Sequence, residues 1–149
     1  TNGIVVERSD DFGEFWPILE DNLTRTYGAK PVHTLEEMEL LHSRFPEEIV
    51  LYLARREDGI PVAGTVLYVT PQVVHAQYIS ASPEGKHLHA VDALFRQIIE
   101  KDYVGHPYID FGKSTEDDGT VLNETLIYQK EGFGGRGVCY DWYEWSVEC

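Results

Sequence analysis

Three apolar runs, IVLYLARR (49–56), PVAGTVLYVT (61–70) and QVVHAQYISA (72–81), follow one another with only a turn between them. No other feature constrains the fold as strongly. Asp58-Gly59 is a hairpin turn, because glycine accepts the positive φ that a tight turn requires. Thr70-Pro71 turns the chain again, since proline fixes φ and cannot donate to a central ladder. Strands joined by tight turns pair antiparallel, so the block predicts a three-strand meander. Its last strand passes through SPEGKHLH (82–89) into a helix from Leu88, where Val91, Leu94 and Ile98 recur at helical spacing and Phe95 and Ile99 widen the apolar face. After Pro107, YIDFG (108–112) reads as a short buried strand.

The flanks complete the order. GIVVER (3–8) is a strand, and SDDFGEFWPILEDNL (9–23) is a helix. Phe12, Phe15 or Trp16, Leu19 and Leu23 form that helix's stripe behind a Ser9 cap, with Pro17 expected to kink or divide it. In HTLEEMELLHSRFPEE (33–48), Thr34 and Glu37 make a capping box. Met38, Leu41 and Phe45 form the stripe, and Pro46 stops the helix. KSTEDDGT (113–120) is a loop, VLNETLIYQKEG (121–132) a helix closed by Gly132, and VCYDWYEWSV (138–147) an aromatic closing strand. The expectation is one α/β (α+β) domain over residues 1–149, a mainly antiparallel mixed sheet flanked by helices in the order β-α-α-β-β-β-α-β-α-β.

Charge narrows the partners. Twelve basic residues face twenty-six acidic ones, for a net charge of −14. DNA is excluded as a partner, and tRNA is argued against, because binding a polyanion rests on a basic patch. No apolar run is long enough to cross a bilayer, and a cytoplasmic setting is the expectation. Two cysteines, Cys139 and Cys149, are too few for a disulfide framework and read as reduced, structural thiols. The six histidines show no metal-ligand spacing, so no metal is expected. The acidic clusters read as solvated surface, or as an attraction for a cationic acceptor.

The element order resembles that of the GNAT acyltransferases, and two stretches carry the resemblance further. LIYQKEGFGGRG (126–137) is similar to the family's last-helix signature, with Tyr128, Lys130, Gly132 and Phe133 at the matching places. YIDFG with the helix after it resembles the branch related to FemAB and BioF2-like transferases, in which an Asp-Phe-Gly strand end precedes a helix ending in Lys and Phe-Gly. Proteins of that branch commonly hold two such lobes, so the chain reads as a single lobe or as one of a pair. The resemblance implies transfer of an acyl group, acetyl by expectation, from acyl-CoA to a small-molecule or peptide amine. Its alternatives are an aminoacyl-tRNA donor or a non-catalytic binding lobe. The family's cofactor elbow shows Gln or Arg, two residues, Gly, one residue, then Gly or Ala. Here Ser82, Gly85 and His87 stand at those places, and one of the three fits.

Site candidates follow from the same places. N–H groups from Gly85 to Leu88, that of His87 among them, with Lys86, either hold the pyrophosphate of acyl-CoA or belong to a helix start capped by Ser82 with Pro83 first; the His87 side chain crowds the approach that a glycine there would leave open. The resemblance implies that the strand at 72–81 parts from YIDFG, leaving Ile79 and Ser80 to pair with the thioester arm. Strict alternation puts His75, Gln77 and Ile79 on one face and Ala76, Tyr78 and Ser80 on the other. His75 is then a base for the amine or a satisfied sheet residue, and Gln77 faces the acceptor. Tyr128 is the implied acid for the departing thiolate, or an aromatic packed on the sheet. His33 lines an acceptor pocket or staples against Met38. Asp110 is a hydrogen-bond hub or a substrate contact. Asn123 is a weaker cofactor candidate. Trp142, Tyr143 and Trp145 offer the C-terminal strand as an interface for a second copy or second lobe.

Overall fold

The computed structural model describes residues 3–147, in two compact units, Thr1–Gly112 and Lys113–Cys149. In the first, β1 (Ile4–Ser9), β2 (Ile49–Arg56), β3 (Pro61–Val69), β4 (Val73–Ala81) and β5 (Tyr108–Asp110) form one sheet in sequence order. Neighbours among the first four strands pair antiparallel, and β4 and β5 run parallel. The meander is therefore as expected, with Gly59 at φ +86° in its first turn.

Two helices cover one side. In α1 (Phe12–Tyr27), Phe12, Phe15, Trp16 and Leu19 are buried in a core shared with Leu51, Leu53, Val66 and Tyr78 of the sheet. Each such side chain contributes roughly 1.5–3 kcal/mol by leaving water. Gly64 of β3 has no side chain because the Phe15 ring lies where one would go; an added Cβ would sit 2.5 Å from Phe15 Cδ2. Pro17 lies inside α1 without dividing it, and the cap is Asp11 rather than Ser9. The Ser9 hydroxyl instead accepts the Asp11 N–H at 3.1 Å. α2 (Leu35–Arg44) carries the capping box, with Glu37 N–H on Thr34 Oγ1 at 3.2 Å and Thr34 N–H on Glu37 Oε2 at 2.8 Å. Arg55 ties β2 to β1 and α1 through Glu7 and Glu14, and that guanidinium holds the Glu14 carboxyl below its usual range, first by hydrogen bonding.

The other side packs against α4 (Ala90–Gln97), which buries Ala90, Leu94 and Phe95. The helix expected from Leu88 starts earlier, at α3 (Pro83–His87), and breaks at His89, whose φ is +55°. A π turn, Ile98–Asp102, ends the crossover. There, burial first and the neighbouring Asp102 second push the Tyr52 phenol up.

The second unit holds a small hairpin, β6 (Thr115–Glu116) with β7 (Val121–Leu122), and α5 (Glu124–Gly132). The first strand of the hairpin falls in the stretch expected to be one loop, the second takes the first two residues of the expected helix, and that helix starts three residues later than expected. The closing strand is a correction: residues 133–147 carry no strand. Alternating aromatics supply propensity, but a strand exists only when a neighbour completes its ladder. An interface through a C-terminal strand accordingly has no strand to use. Cys139 is exposed rather than part of a strand, and Cys149 lies outside the described residues. Among the described residues, no helix is long and apolar enough to cross a membrane.

Candidate active site

The register of β4 against β3 contains one irregularity, and it organises the site. Val66 pairs with Tyr78 but Leu67 pairs with Ala76, so Gln77 is an extra residue in a β-bulge. A bulge of this kind moves side chains to the opposite face beyond it. Tyr78 shares the α1 side with Val66, and His75 shares it with Tyr68, while Ile79 pairs with Thr65 on the α4 side. The expectation that His75, Gln77 and Ile79 face one way is thereby overturned. So is the grouping of Ala76 with Tyr78 and Ser80, since Ala76 lies with Leu67 on the α4 side and the Ser80 hydroxyl reaches Ile18 O of α1 at 3.4 Å.

The bulge collects rings on the α1 and α2 side. Tyr78 meets Trp16 and His33 edge-on, at centroid distances of 5.7 and 6.0 Å, and the Tyr68 and His75 rings lie 6.3 Å apart. The Tyr78 hydroxyl accepts the His33 N–H at 3.2 Å and bonds His33 Nδ1 at 2.8 Å, so His33 is tied to Tyr78. Burial, with Tyr78 nearby, pushes the Tyr68 phenol up, which keeps it protonated. Tyr68 escaped the sequence reading, although the alternation of VLYV places an aromatic on that face.

β4 and β5 form a fork. They pair only over Val73–Tyr108, Val74–Ile109 and His75–Asp110. β4 then continues six residues to Ala81, whereas β5 ends. The last rung is also a side-chain contact, with His75 Nδ1 2.7 Å from Asp110 Oδ2. Asp110 Oδ1 accepts the Gly112 N–H at 2.8 Å. The sequence points to the two residues for separate reasons, and the parallel register brings them together. The result is a partly exposed imidazole at the point where one edge of β4 loses its neighbour.

The profile of the Acetyltransferase (GNAT) domain family matches residues 3–118. The chain belongs to that family. No curated protein matches its sequence. Among solved structures, this GNAT domain is similar to an aminoglycoside 6'-N-acetyltransferase from Acinetobacter baumannii (TM-score 0.64, 12% identity, 98% of this chain and 100% of that one). It is similar also to an aminoglycoside acetyltransferase from an uncultured soil metagenomic sample, in complex with sisomicin (TM-score 0.67, 12%, 97% and 98%). A third is an acetyltransferase from Trypanosoma brucei (TM-score 0.64, 16%, 95% and 98%). At these identities the likeness is one of fold.

The GNAT elbow after β4 is closely packed here. Gly85 N–H donates to the Ser82 cap at 3.0 Å, Lys86 N–H to Ser82 O at 2.9 Å and Leu88 N–H to Glu84 O at 2.9 Å. A Cβ on Gly85 would lie 2.1 Å from Val62 O, so glycine stands there because α3 presses on the β3 backbone. Lys86 Nζ reaches Asn22 Oδ1 of α1 at 2.6 Å. His87 ends α3, in its last turn. In the second unit, Asn123 caps α5 by accepting the Leu126 N–H at 2.9 Å and also donates to Glu116 Oε1 at 2.6 Å. Tyr128 is an exposed residue of the same helix.

Proposed function

We propose that this GNAT domain is a single lobe that passes an acyl group, acetyl in the first instance, from acyl-CoA to a small-molecule amine by direct attack. The observation that carries the reading is the fork, where β4–β5 pairing stops at His75 and Asp110 while β4 runs on. In this reading the open edge of β4 beyond the fork pairs with the extended thioester arm as a strand would, through the backbone groups of alternate residues in the Ile79–Ser80 stretch, Ile79 being the one whose N–H and C=O turn away from β3. His75 takes the proton as the amine nitrogen bonds to the acyl carbon; the carbon–sulfur bond breaks and the thiolate leaves. His33, in the loop before α2, and Gln77, on the bulge, are the acceptor contacts in this scheme. The two aminoglycoside-modifying neighbours support an amine acceptor of small size, and a net charge of −14 suits a cationic one.

Within the family we place the chain nearest the FemAB-like branch on Asp110, Phe111 and Gly112, with acyl-CoA rather than aminoacyl-tRNA as donor because of the charge. Tyr128 and Asn123 belong to the second unit and carry no step in this scheme.

A specific observation favours a second reading, a lobe that keeps the architecture without turnover. Three N–H groups of the elbow are already engaged, and Lys86 is turned to Asn22. Titration calorimetry with acetyl-CoA and longer acyl-CoAs separates the two. Binding in the micromolar range, lost on bulky substitution at Ser80, is the expected result; heat indistinguishable from dilution at millimolar ligand leaves only the second.

A further inference from the structure

We propose that Asp110 is a positioning residue for His75, fixing the imidazole with its proton on Nδ1 and its lone pair at Nε2. The inference rests on the reading of His75 as base and adds what makes it one. The two residues are the last paired rung of two parallel strands, so the backbone sets their separation rather than a chance rotamer. Asp110 Oδ2 lies 2.7 Å from Nδ1, and Oδ1 is held by the Gly112 N–H at 2.8 Å. With both oxygens engaged the carboxylate has one orientation. An ionised carboxylate only accepts hydrogen bonds, so the shared proton belongs to Nδ1, and Nε2 is left to receive one.

The charge balance supports the same role. When Nε2 takes the amine proton the ring becomes a cation beside an anion, and the pair goes from a net charge of −1 to zero, so no isolated positive charge is left at the fork. Among the described residues, two phenols lie near this ring on the α1 side. Tyr68 of β3 lies beside it and stays protonated because of burial, and Tyr78 is bonded to His33. Asp110 is the acidic group that contacts His75 from β5. A histidine without such a partner divides its proton between both nitrogens and turns about two side-chain torsions, so only a fraction of molecules present the lone pair correctly.

The test uses the full chain, labelled with nitrogen-15, and reads the His75 ring nitrogens directly under alkaline conditions, with His75→Gln assigning the signals. Wild type is expected to show one tautomer, protonated at Nδ1. Asp110→Asn replaces an acceptor by a group that also donates, and the proton is expected to move to Nε2. Asp110→Glu should keep the wild-type pattern. Dispersion of the same spectra reports folding, and Asp110→Ser serves if the asparagine variant does not fold. In parallel, thiol release from acetyl-CoA with sisomicin as probe amine is expected to lose about 10²-fold in kcat in Asp110→Asn, with KM for acetyl-CoA unchanged. An unaltered tautomer, or an unaltered kcat in a wild type that turns over, overturns the proposal. A clear tautomer switch in a chain that transfers nothing upholds the Asp110–His75 pair and removes the acyl-transfer reading instead.

Discussion

Helices α1 and α5 belong to the same chain and are held in different ways. α1 buries Phe12, Phe15, Trp16 and Leu19 on the sheet. α5 buries no residue among those described, and its definition comes from Asn123 at its start and from Lys130 Nζ donating back to Lys113 O at 2.6 Å. A nine-residue helix gains little from propensity alone. The contrast separates two sources of order. Through Gly112, position is dictated by side chains excluded from water, and the fork that carries the proposed chemistry is a consequence of strand register inside that core. From Lys113 onward, the helix buries no residue among those described and is tied by bonds at Asn123 and Lys130.

The largest test of that contrast is a matched pair of truncations. Phe15→Ala removes a ring that fills the space above Gly64, and is expected to destabilise the chain by about 3–5 kcal/mol in urea unfolding. Ile127→Ala, on α5, is expected to cost less than about 1 kcal/mol, as at partly exposed sites generally. Comparable losses at the two positions break the comparison.

A smaller effect sharpens it through the caps. Asn123→Ala deletes the acceptor for the Leu126 N–H and should weaken α5 by about 1 kcal/mol. Amide exchange over residues 124–132 is then expected to quicken while protection in β2 and β3 stays as it was. Thr34→Ala, which breaks the capping box of a helix packed through Met38, should instead lower the unfolding midpoint of the whole core. If Asn123→Ala slows nothing and quickens nothing, α5 is held by more than its ends.

The same division marks what the sequence made legible. The meander, its Asp58-Gly59 turn and the Thr34–Glu37 box are local devices, and each reads correctly from a few adjacent residues. Strands β1 and β5 read correctly as well, but what a distant partner decides, register and the presence of a closing strand, does not. The run from Val138 to Val147 has the composition of a strand, but composition does not provide the neighbour. Gln77 shows the point at one residue. A reading of period two has no means of sensing a bulge, so it kept His75 and Ile79 on one face when the register sets them on opposite ones. His75 and Asp110 were both visible as chemistry, and their contact was not, because it depends on how far β5 slides along β4. Gly85 carries a signal with two sources. Its position in the family's elbow suggests an anion, whereas its most direct constraint is the carbonyl of Val62. The family match spans 3–118, so the stretch 126–137, which carried the last-helix resemblance, lies beyond it.

The smallest expected effect asks whether the core tolerates a polar defect that the second unit would not notice. Thr65 is fully buried on the α4 side, and its hydroxyl has no hydrogen-bond partner among the described residues. Desolvating a hydroxyl without compensation costs on the order of 1 kcal/mol. Valine has nearly the same shape, so Thr65→Val should raise the unfolding midpoint by roughly that amount. Thr120 in the second unit presents the opposite case, an exposed residue whose hydroxyl donates to Asp117 O at 2.6 Å. Thr120→Val removes a bond and relieves no burial, so its effect should be a loss within about 0.5 kcal/mol. Opposite signs for one substitution at two places are what the two kinds of order require. A loss at Thr65 instead means that the hydroxyl is satisfied in solution by a buried water, and the core between β3 and α4 is then wetter than its apolar lining implies.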